Sequence, residues 1–283
     1  PGIILAKRLV DLTPPNLTRV FYSDNGSTAV EIALKMALQY WQLRGRPKRK
    51  RFMALGNAYN GDTIGAVSVG GIDAFHARFK PMLFDAFRAP SPYAYRCQLC
   101  QADGECVGRC QDTFEKILRD NHEEIAAVII EPGLQGAGGM ITYPPGYIQA
   151  VRDLTRKLGV LLIFDEVAVG MGRCGKMFAC DREEVKPDFL CIAKGLTGGY
   201  LPVAATVTTS EVFEAFLGPP HEGRTFFHGH TYTGNALGCA AALATLDIFE
   251  KDRVIEGLDA KVDHLSKALN QLRDHPNVGD IRQ

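Results

Sequence analysis

At 283 residues, with 46% hydrophobic and 23% charged side chains, the chain is long enough to bury a large core in one or two domains and is no small cross-linked scaffold. Thirty-two basic and thirty-two acidic residues cancel, which excludes the global positive field that gathers nucleic acid or an anionic membrane. No apolar run reaches transmembrane length and no secretory signal is visible, so the expected compartment is the cytoplasm, although Pro1 is not an initiator methionine.

In chain order, residues 19–22 read as a strand and residues 27–44 as a helix with Val30, Ala33, Leu34, Ala37 and Trp41 on one stripe. Between them Ser23-Asp24-Asn25-Gly26-Ser27-Thr28 is a turn of small hydrogen-bonding residues that opens the helix. It is either an ordinary N-cap or an anion site, in which Gly26 lets a phosphate approach and Ser27 adds a hydroxyl. Residues 44–51 hold six Lys or Arg residues; lying between a helix and a strand, they read as a solvated connection rather than a nucleic-acid site. The strand 51–55 follows. After it, Asn57-Ala58-Tyr59-Asn60-Gly61-Asp62-Thr63 places Tyr59 in a loop, as a surface anchor or as a ring that stacks on a planar cofactor.

Cys97, Cys100, Cys106 and Cys110 form a tight group among eight cysteines. Four thiols this close could hold a tetrahedral zinc and make this segment an interaction module. The irregular spacing of the second pair favours a cysteine-rich surface insertion without metal. Cys174, Cys180, Cys191 and Cys239 sit among apolar or small residues and read as reduced, partly buried thiols. Beyond the cysteines come a helix near 112–119, a buried strand 126–130, a helix 147–158 ended by Gly159, and strands 161–165 and 189–192. Helices over 237–249 and from 254 to about 273, broken near Asp252, close the chain. This alternation predicts an α/β fold with a mainly parallel sheet.

The strand Leu161-Leu162-Ile163-Phe164 delivers Asp165-Glu166 at its end, and Ala193-Lys194-Gly195 follows the next strand in a Gly-rich setting. Ligands sit outside the carboxyl ends of such strands. A carboxylate there can keep a pyridine nitrogen protonated, and an amine nearby can hold an aldehyde, which together suit pyridoxal phosphate. An apolar strand ending in Asp-Glu is also how a Walker B strand reads. The nearest P-loop candidate, Gly172-Arg173-Cys174-Gly175-Lys176-Met177, has the wrong spacing, lacks the magnesium-binding hydroxyl and follows the strand. Lys194 alone would be a solvated lysine; its apolar neighbours Cys191, Ile192, Ala193 and Leu196 favour a buried, functional amine.

Together, Asp165-Glu166-Val167 with Gly170 and Gly172-Arg173, Asp188-Phe189-Leu190, and Ala193-Lys194-Gly195 with Gly198-Gly199 resemble the attachment signature of the class III (subgroup II) pyridoxal-phosphate aminotransferases. The resemblance covers nearly the whole chain. Within the class, the segments 22–31, 193–201 and 227–235 are similar to members that serve biotin biosynthesis. Those members move an amino group from S-adenosylmethionine to 8-amino-7-oxononanoate, giving 7,8-diaminononanoate. Class members that use ornithine, 4-aminobutyrate or other ω-amines, or lysine as donor to the same ketone, are the alternative.

The resemblance implies a fold type I transferase. Residues 1–250 would form the large cofactor-binding domain, its mainly parallel sheet lying between helices, and residues 251–283 the start of a small α+β C-terminal domain. It implies pyridoxal 5'-phosphate with its phosphate on Gly26 and Ser27, its ring stacked by Tyr59, its nitrogen against Asp165 and its aldehyde on Lys194. Lys194, Asp165 and Tyr59 are then the catalytic set, and Lys194, Gly229 and Arg173 border the substrate. Thr231 would reach the phosphate of the neighbouring subunit's cofactor in a homodimer with shared active sites. Glu131-Pro132 and Gln135-Gly136 would support the site from a strand end. Asn60 stands where many relatives have histidine. The N-terminal pocket aromatics and the C-terminal carboxylate-binding arginine have no counterpart, so the chain is expected to be clipped at both ends.

Overall fold

The computed structural model describes residues 1–95, 97, 99, 100 and 108–283. Helix α1 (Gly2–Leu12) leads into strand β1 (Leu17–Ser23), helix α2 (Gly26–Leu43), strand β2 (Arg51–Leu55) and the short helices α3 (Ile64–Ser68) and α4 (Asp73–His76). Strand β3 (Ala86–Ala89), helix α5 (Arg109–Asn121), strand β4 (Ile125–Ile130) and the small hairpin β5 (Leu134–Gln135) and β6 (Ile141–Thr142) follow. Helix α6 (Tyr147–Leu158), strands β7 (Leu161–Asp165), β8 (Phe189–Ile192) and β9 (Ala204–Thr209), and helices α7 (Ser210–Ala215), α8 (Ala236–Lys251) and α9 (Leu258–Asn270) complete the order.

Seven strands form one sheet in the order β1-β9-β8-β7-β4-β2-β3. Every neighbouring pair is parallel except the two that involve β9, which runs against β1 and β8. The mainly parallel sheet expected from the sequence is therefore present, with one reversed strand. Parallel neighbours need crossover connections, and the helices that supply them cover both faces. Val128, Ile130, Leu162 and Phe164 face a core with Leu5, Leu9, Phe114, Ile148 and Val151 from α1, α5 and α6. Ala127, Ile129, Leu161 and Ile163 face a second core with Val30, Ala33, Ala37 and Trp41 from α2. Because both faces are buried, these strands are apolar throughout instead of alternating with polar residues.

Local chemistry sets the element ends. Asn25 caps α2 reciprocally with Thr28: the Thr28 N–H donates to Asn25 Oδ1 (3.0 Å) and the Asn25 N–H to Thr28 Oγ1 (3.2 Å). The Trp41 indole N–H donates to Ala126 O (2.7 Å), locking α2 onto β4. Gly159 ends α6 with φ +61°, a left-handed cap.

The structure corrects several expectations. Helix α1 and strands β3 and β9 were not expected. The last helix starts at Leu258 rather than at 254, because the chain turns through Arg253 at φ +48°. Within the basic cluster, Arg49 is buried: it stacks on Trp41 with its guanidinium carbon 4.4 Å from the ring centroid, and donates to Gly159 O and to Leu158 O. Cys174 is half-buried, and Cys180, Cys191 and Cys239 are buried. Of the tight cysteine group, Cys106 lies outside the described residues. Among the described residues, no group of three or more His, Cys, Asp or Glu side chains could hold a metal ion, and no helix is long and apolar enough to cross a membrane.

Candidate active site

The carboxyl ends of β1, β2, β4, β7 and β8 lie on one edge of the sheet, since these strands share one direction. The segments that leave them enclose a cleft of about 260 Å³. Asn25, Gly26 and Ser27 line it from the start of α2, Tyr59, Asn60 and Gly61 from the loop after β2, and Glu131 and Ala137 from the loop after β4. Asp165, Val167, Ala168 and Lys194 complete the wall from the ends of β7 and β8. Five predicted residues, Gly26, Ser27, Tyr59, Asp165 and Lys194, thus meet in one place. A larger cavity of about 530 Å³, lined by Gly70, His76, Lys80 and Arg88 among others, holds none of them.

Asp165 and Glu131 are buried carboxyls at the floor of the cleft, 4% and 3% exposed. Asp165 Oδ1 accepts the Val167 N–H at 3.0 Å. Burial and the neighbouring Glu131 push the Asp165 carboxyl well above the usual carboxylate range, opposed by the Val167 N–H and by Lys194. Glu131 rises to about 7, mainly by burial, against two backbone N–H groups and Lys194. Two buried acids side by side form a site that a cationic N–H would relieve, because it adds counter-charge to that of Lys194.

Lys194 follows the end of β8, on the strand paired in parallel with β7; Asp165 stands opposite Cys191. Its backbone is left-handed at φ +44°, a conformation rare for a side chain of this size and found at functional turns. Ala193 and Leu196 are buried, but Lys194 itself is exposed, which corrects the expectation of a buried amine. The left-handed turn lifts the side chain out of the core and onto the cleft wall. Gly195 is required behind it, since a Cβ there would lie 2.7 Å from Met171 Cβ.

The capping pair of α2 uses the Thr28 N–H and leaves those of Gly26 and Ser27 without an acceptor among the described residues. Two bare N–H groups at the start of an 18-residue helix form an anion seat. The seat is narrow: a Cβ on Gly26 would lie 2.5 Å from Val167 Cγ1, and one on Gly61 would lie 2.0 Å from Ser27 Oγ. Ser27 Oγ accepts the Asp62 N–H (3.1 Å), and Asp62 Oδ2 accepts the Tyr59 hydroxyl (2.7 Å). Glu131 ties the same loop from below, taking the N–H of Tyr59 (3.2 Å) on Oε1 and that of Gly136 (3.0 Å) on Oε2. Burial and Asp62 raise the Tyr59 phenol to about 12.

Thr231, Gly229 and Arg173 do not line this cleft. All three are exposed, Thr231 and Gly229 on the loop before α8 and Arg173 on the loop after β7. Glu166 clamps that second loop, its carboxylate accepting the N–H groups of Ala179 (2.7 Å) and Cys180 (2.8 Å). Sequence reasoning missed the lining roles of Asn25 and Gly61, whose signal was only turn composition.

A seat for an anion, an aromatic ring, a buried acid pair and an amine at the ends of parallel strands are the parts of a fold type I transferase, and the class-III aminotransferase family model matches residues 2–283. The chain belongs to that family. It is 51% identical over 283 residues to the adenosylmethionine-8-amino-7-oxononanoate aminotransferase of Geobacter sulfurreducens, a match covering 100% of this chain and 62% of that protein. The crystal structure of adenosylmethionine-8-amino-7-oxononanoate aminotransferase from Methanocaldococcus jannaschii superposes with a TM-score of 0.92 at 49% identity, over 100% of this chain and 62% of that one. A PLP-bound amine transaminase from an uncultivated Pseudomonas species gives 0.86 at 39% identity, over 96% and 61%. The chain thus spans about three fifths of the length of these relatives.

Proposed function

We propose that this chain is the cofactor-holding part of a pyridoxal 5'-phosphate-dependent transaminase of biotin biosynthesis that moves the amino group of S-adenosylmethionine to 8-amino-7-oxononanoate, giving 7,8-diaminononanoate. The observation that carries the reading is the meeting of Asp165, Lys194 and the bare start of α2 in one cleft. The shared name of the Geobacter and Methanocaldococcus relatives supports the substrate pair. The cleft fits the cofactor on its own chemistry, with a buried acid pair beside Lys194 and a glycine-lined seat at a helix start.

When bound, pyridoxal phosphate supplies a covalent handle for a substrate amine and a protonated ring that draws electrons from the substrate α-carbon. Gly26 and Ser27 hold the phosphate through backbone N–H groups and the Ser27 hydroxyl. Asp165 keeps the ring nitrogen protonated, a charge pair strengthened by its burial. Tyr59 covers one face of the ring. Lys194 Nζ would hold the aldehyde, and its amine would serve as the group that moves the proton at the substrate α-carbon. Arg173 and Gly229 border the substrate in this reading.

The same reading carries a homodimer with shared active sites, Thr231 serving the neighbouring subunit's phosphate, and the cytoplasm as compartment. The exposed side chains around Thr231, Phe227 and Tyr232 among them, support the shared site. It also takes residues 1–250 as the large domain and residues 251–283 as the start of a second one; α9 has no buried residue, which supports that boundary. The second reading, an ω-aminotransferase with another donor, draws on the likeness to an amine transaminase. A half-reaction screen separates the two. Purified protein loaded with cofactor is mixed with S-adenosylmethionine, lysine, ornithine or 4-aminobutyrate, and the cofactor absorbance is followed. Conversion by S-adenosylmethionine alone is the expected result, and conversion only by another amine would replace the proposed donor.

A further inference from the structure

Tyr59 is fixed at two points. Its backbone N–H is held by Glu131 and its hydroxyl by Asp62. A ring pinned at its backbone and its hydroxyl still turns about the line that joins them, and only a plane laid against its face stops that rotation. The imidazole of His76 lies nearly parallel to the Tyr59 ring in an offset pair, its centroid 6.5 Å away and its plane tilted by only 12°. Phe75 meets the Tyr59 ring edge-on at 6.0 Å and 87°. His76 is 5% exposed, and both of its ring nitrogens are buried without a hydrogen-bond partner among the described residues. An imidazole gains nothing as a hydrogen-bonding group in such a place, and a buried polar group without a partner calls for an explanation. The imidazole is closely confined: a Cβ on Gly70 would lie 2.3 Å from His76 Cε1. His76 lines the larger cavity and Tyr59 lines the cleft, so the pair forms the wall between the two.

We propose that His76 is a positioning residue for Tyr59, a backing plate that fixes the plane of the phenol ring so that its other face is presented to the cofactor ring. The inference rests on the pyridoxal-phosphate reading of the cleft. Burial lowers the His76 pKa, so the plate is a neutral ring at neutral pH.

The test uses the purified protein and pyridoxal 5'-phosphate, with three readouts: equilibrium affinity for the cofactor, its induced circular dichroism in the visible, and the thermal midpoint without cofactor. His76→Leu is expected to weaken affinity roughly two- to ten-fold, the range one aromatic pair supports, and to change the induced dichroism. His76→Phe, which restores a flat ring, is expected to keep both near wild type. In a Tyr59→Leu background, His76→Leu is expected to add nothing. Should His76→Leu fail to fold, His76→Phe and His76→Gln carry the test, the ring keeping affinity and the amide losing it. Wild-type affinity and dichroism in both His76→Leu and His76→Gln, or an undiminished effect in the Tyr59→Leu background, overturn the proposal alone. Failure of the wild type to bind the cofactor overturns it together with the reading on which it rests.

Discussion

The cleft and the loop that carries Thr231 are built in opposite ways. Around the cleft, Glu131, Asp62, Ser27 and the Asn25–Thr28 cap tie each loop to another, and the acids on its floor are buried. On the loop before α8, Phe227 is 83% and Tyr232 73% exposed, and no atom lies within 4 Å of a Cβ placed on Gly229. The first region is finished within one chain. The second displays large apolar side chains that a folded chain rarely leaves in water. In the proposed shared site, the cofactor seat comes from one copy and the loop from the other.

The largest effect expected from breaking the finished region is at its amine. Lys194→Ala removes the proposed covalent anchor and proton carrier, so turnover should fall by about 10³-fold or more in steady-state assays. Near-normal activity with unchanged cofactor absorbance would assign the attachment to another lysine. Asp165→Asn keeps the shape but cannot pair with a protonated ring nitrogen, and kcat should drop on the order of 10²-fold while the folded chain persists. Equal rates for variant and wild type would remove Asp165 from the chemistry.

The unfinished region is tested by mixing chains. Purified, tagged heterodimers of a Lys194→Ala chain and a Thr231→Val chain put both lesions on one shared site and leave the other intact. About half the wild-type activity per dimer is expected if the sites act independently. Activity no higher than that of the parent homodimers would mean that Thr231 serves its own chain, and the contrast between the two regions would need another cause.

The smallest expected effect concerns Glu166, which holds the loop after β7. Burial raises its carboxyl from the ordinary 4.5 to about 7. The folded chain therefore binds this proton more tightly than the unfolded one, so the stability it contributes is fully present below pH 4.5 and is lost as pH rises through about 7. The contribution is on the order of 3 kcal/mol. Urea midpoints of the wild type should rise as pH falls from about 8 to 5, and Glu166→Gln should flatten that slope whatever its offset. An identical slope in both would show that Glu166 does not carry the proton.

How much of this was legible in the sequence depends on how far apart the cooperating residues lie. Strands β4, β7 and β8 read correctly because a strand buried on both faces is apolar throughout. Strand β9 hid because Thr206 and Thr208 bury their hydroxyls by donating to Ala29 O (2.8 Å) and Asp188 O (2.9 Å), bonds no local pattern announces. Asp165 and Lys194 were legible because each sits at the end of its own strand. The link from Glu131 to Tyr59 and the plate behind Tyr59 were not, because they join separate loops. The exposure of Lys194 was missed for a similar reason: its neighbours are buried, and only the left-handed backbone turns it outward.

The most direct test of the central claim, that Asp165, Lys194 and the start of α2 form one cofactor site, is to map the covalent attachment. The protein is incubated with pyridoxal 5'-phosphate, reduced with borohydride, digested and read by mass spectrometry. The account predicts a phosphopyridoxyl adduct on Lys194 that disappears in Lys194→Ala and is weakened when Gly26→Val fills the anion seat. An adduct of equal yield on another lysine, or one on Lys194 that Gly26→Val leaves unchanged, would contradict it.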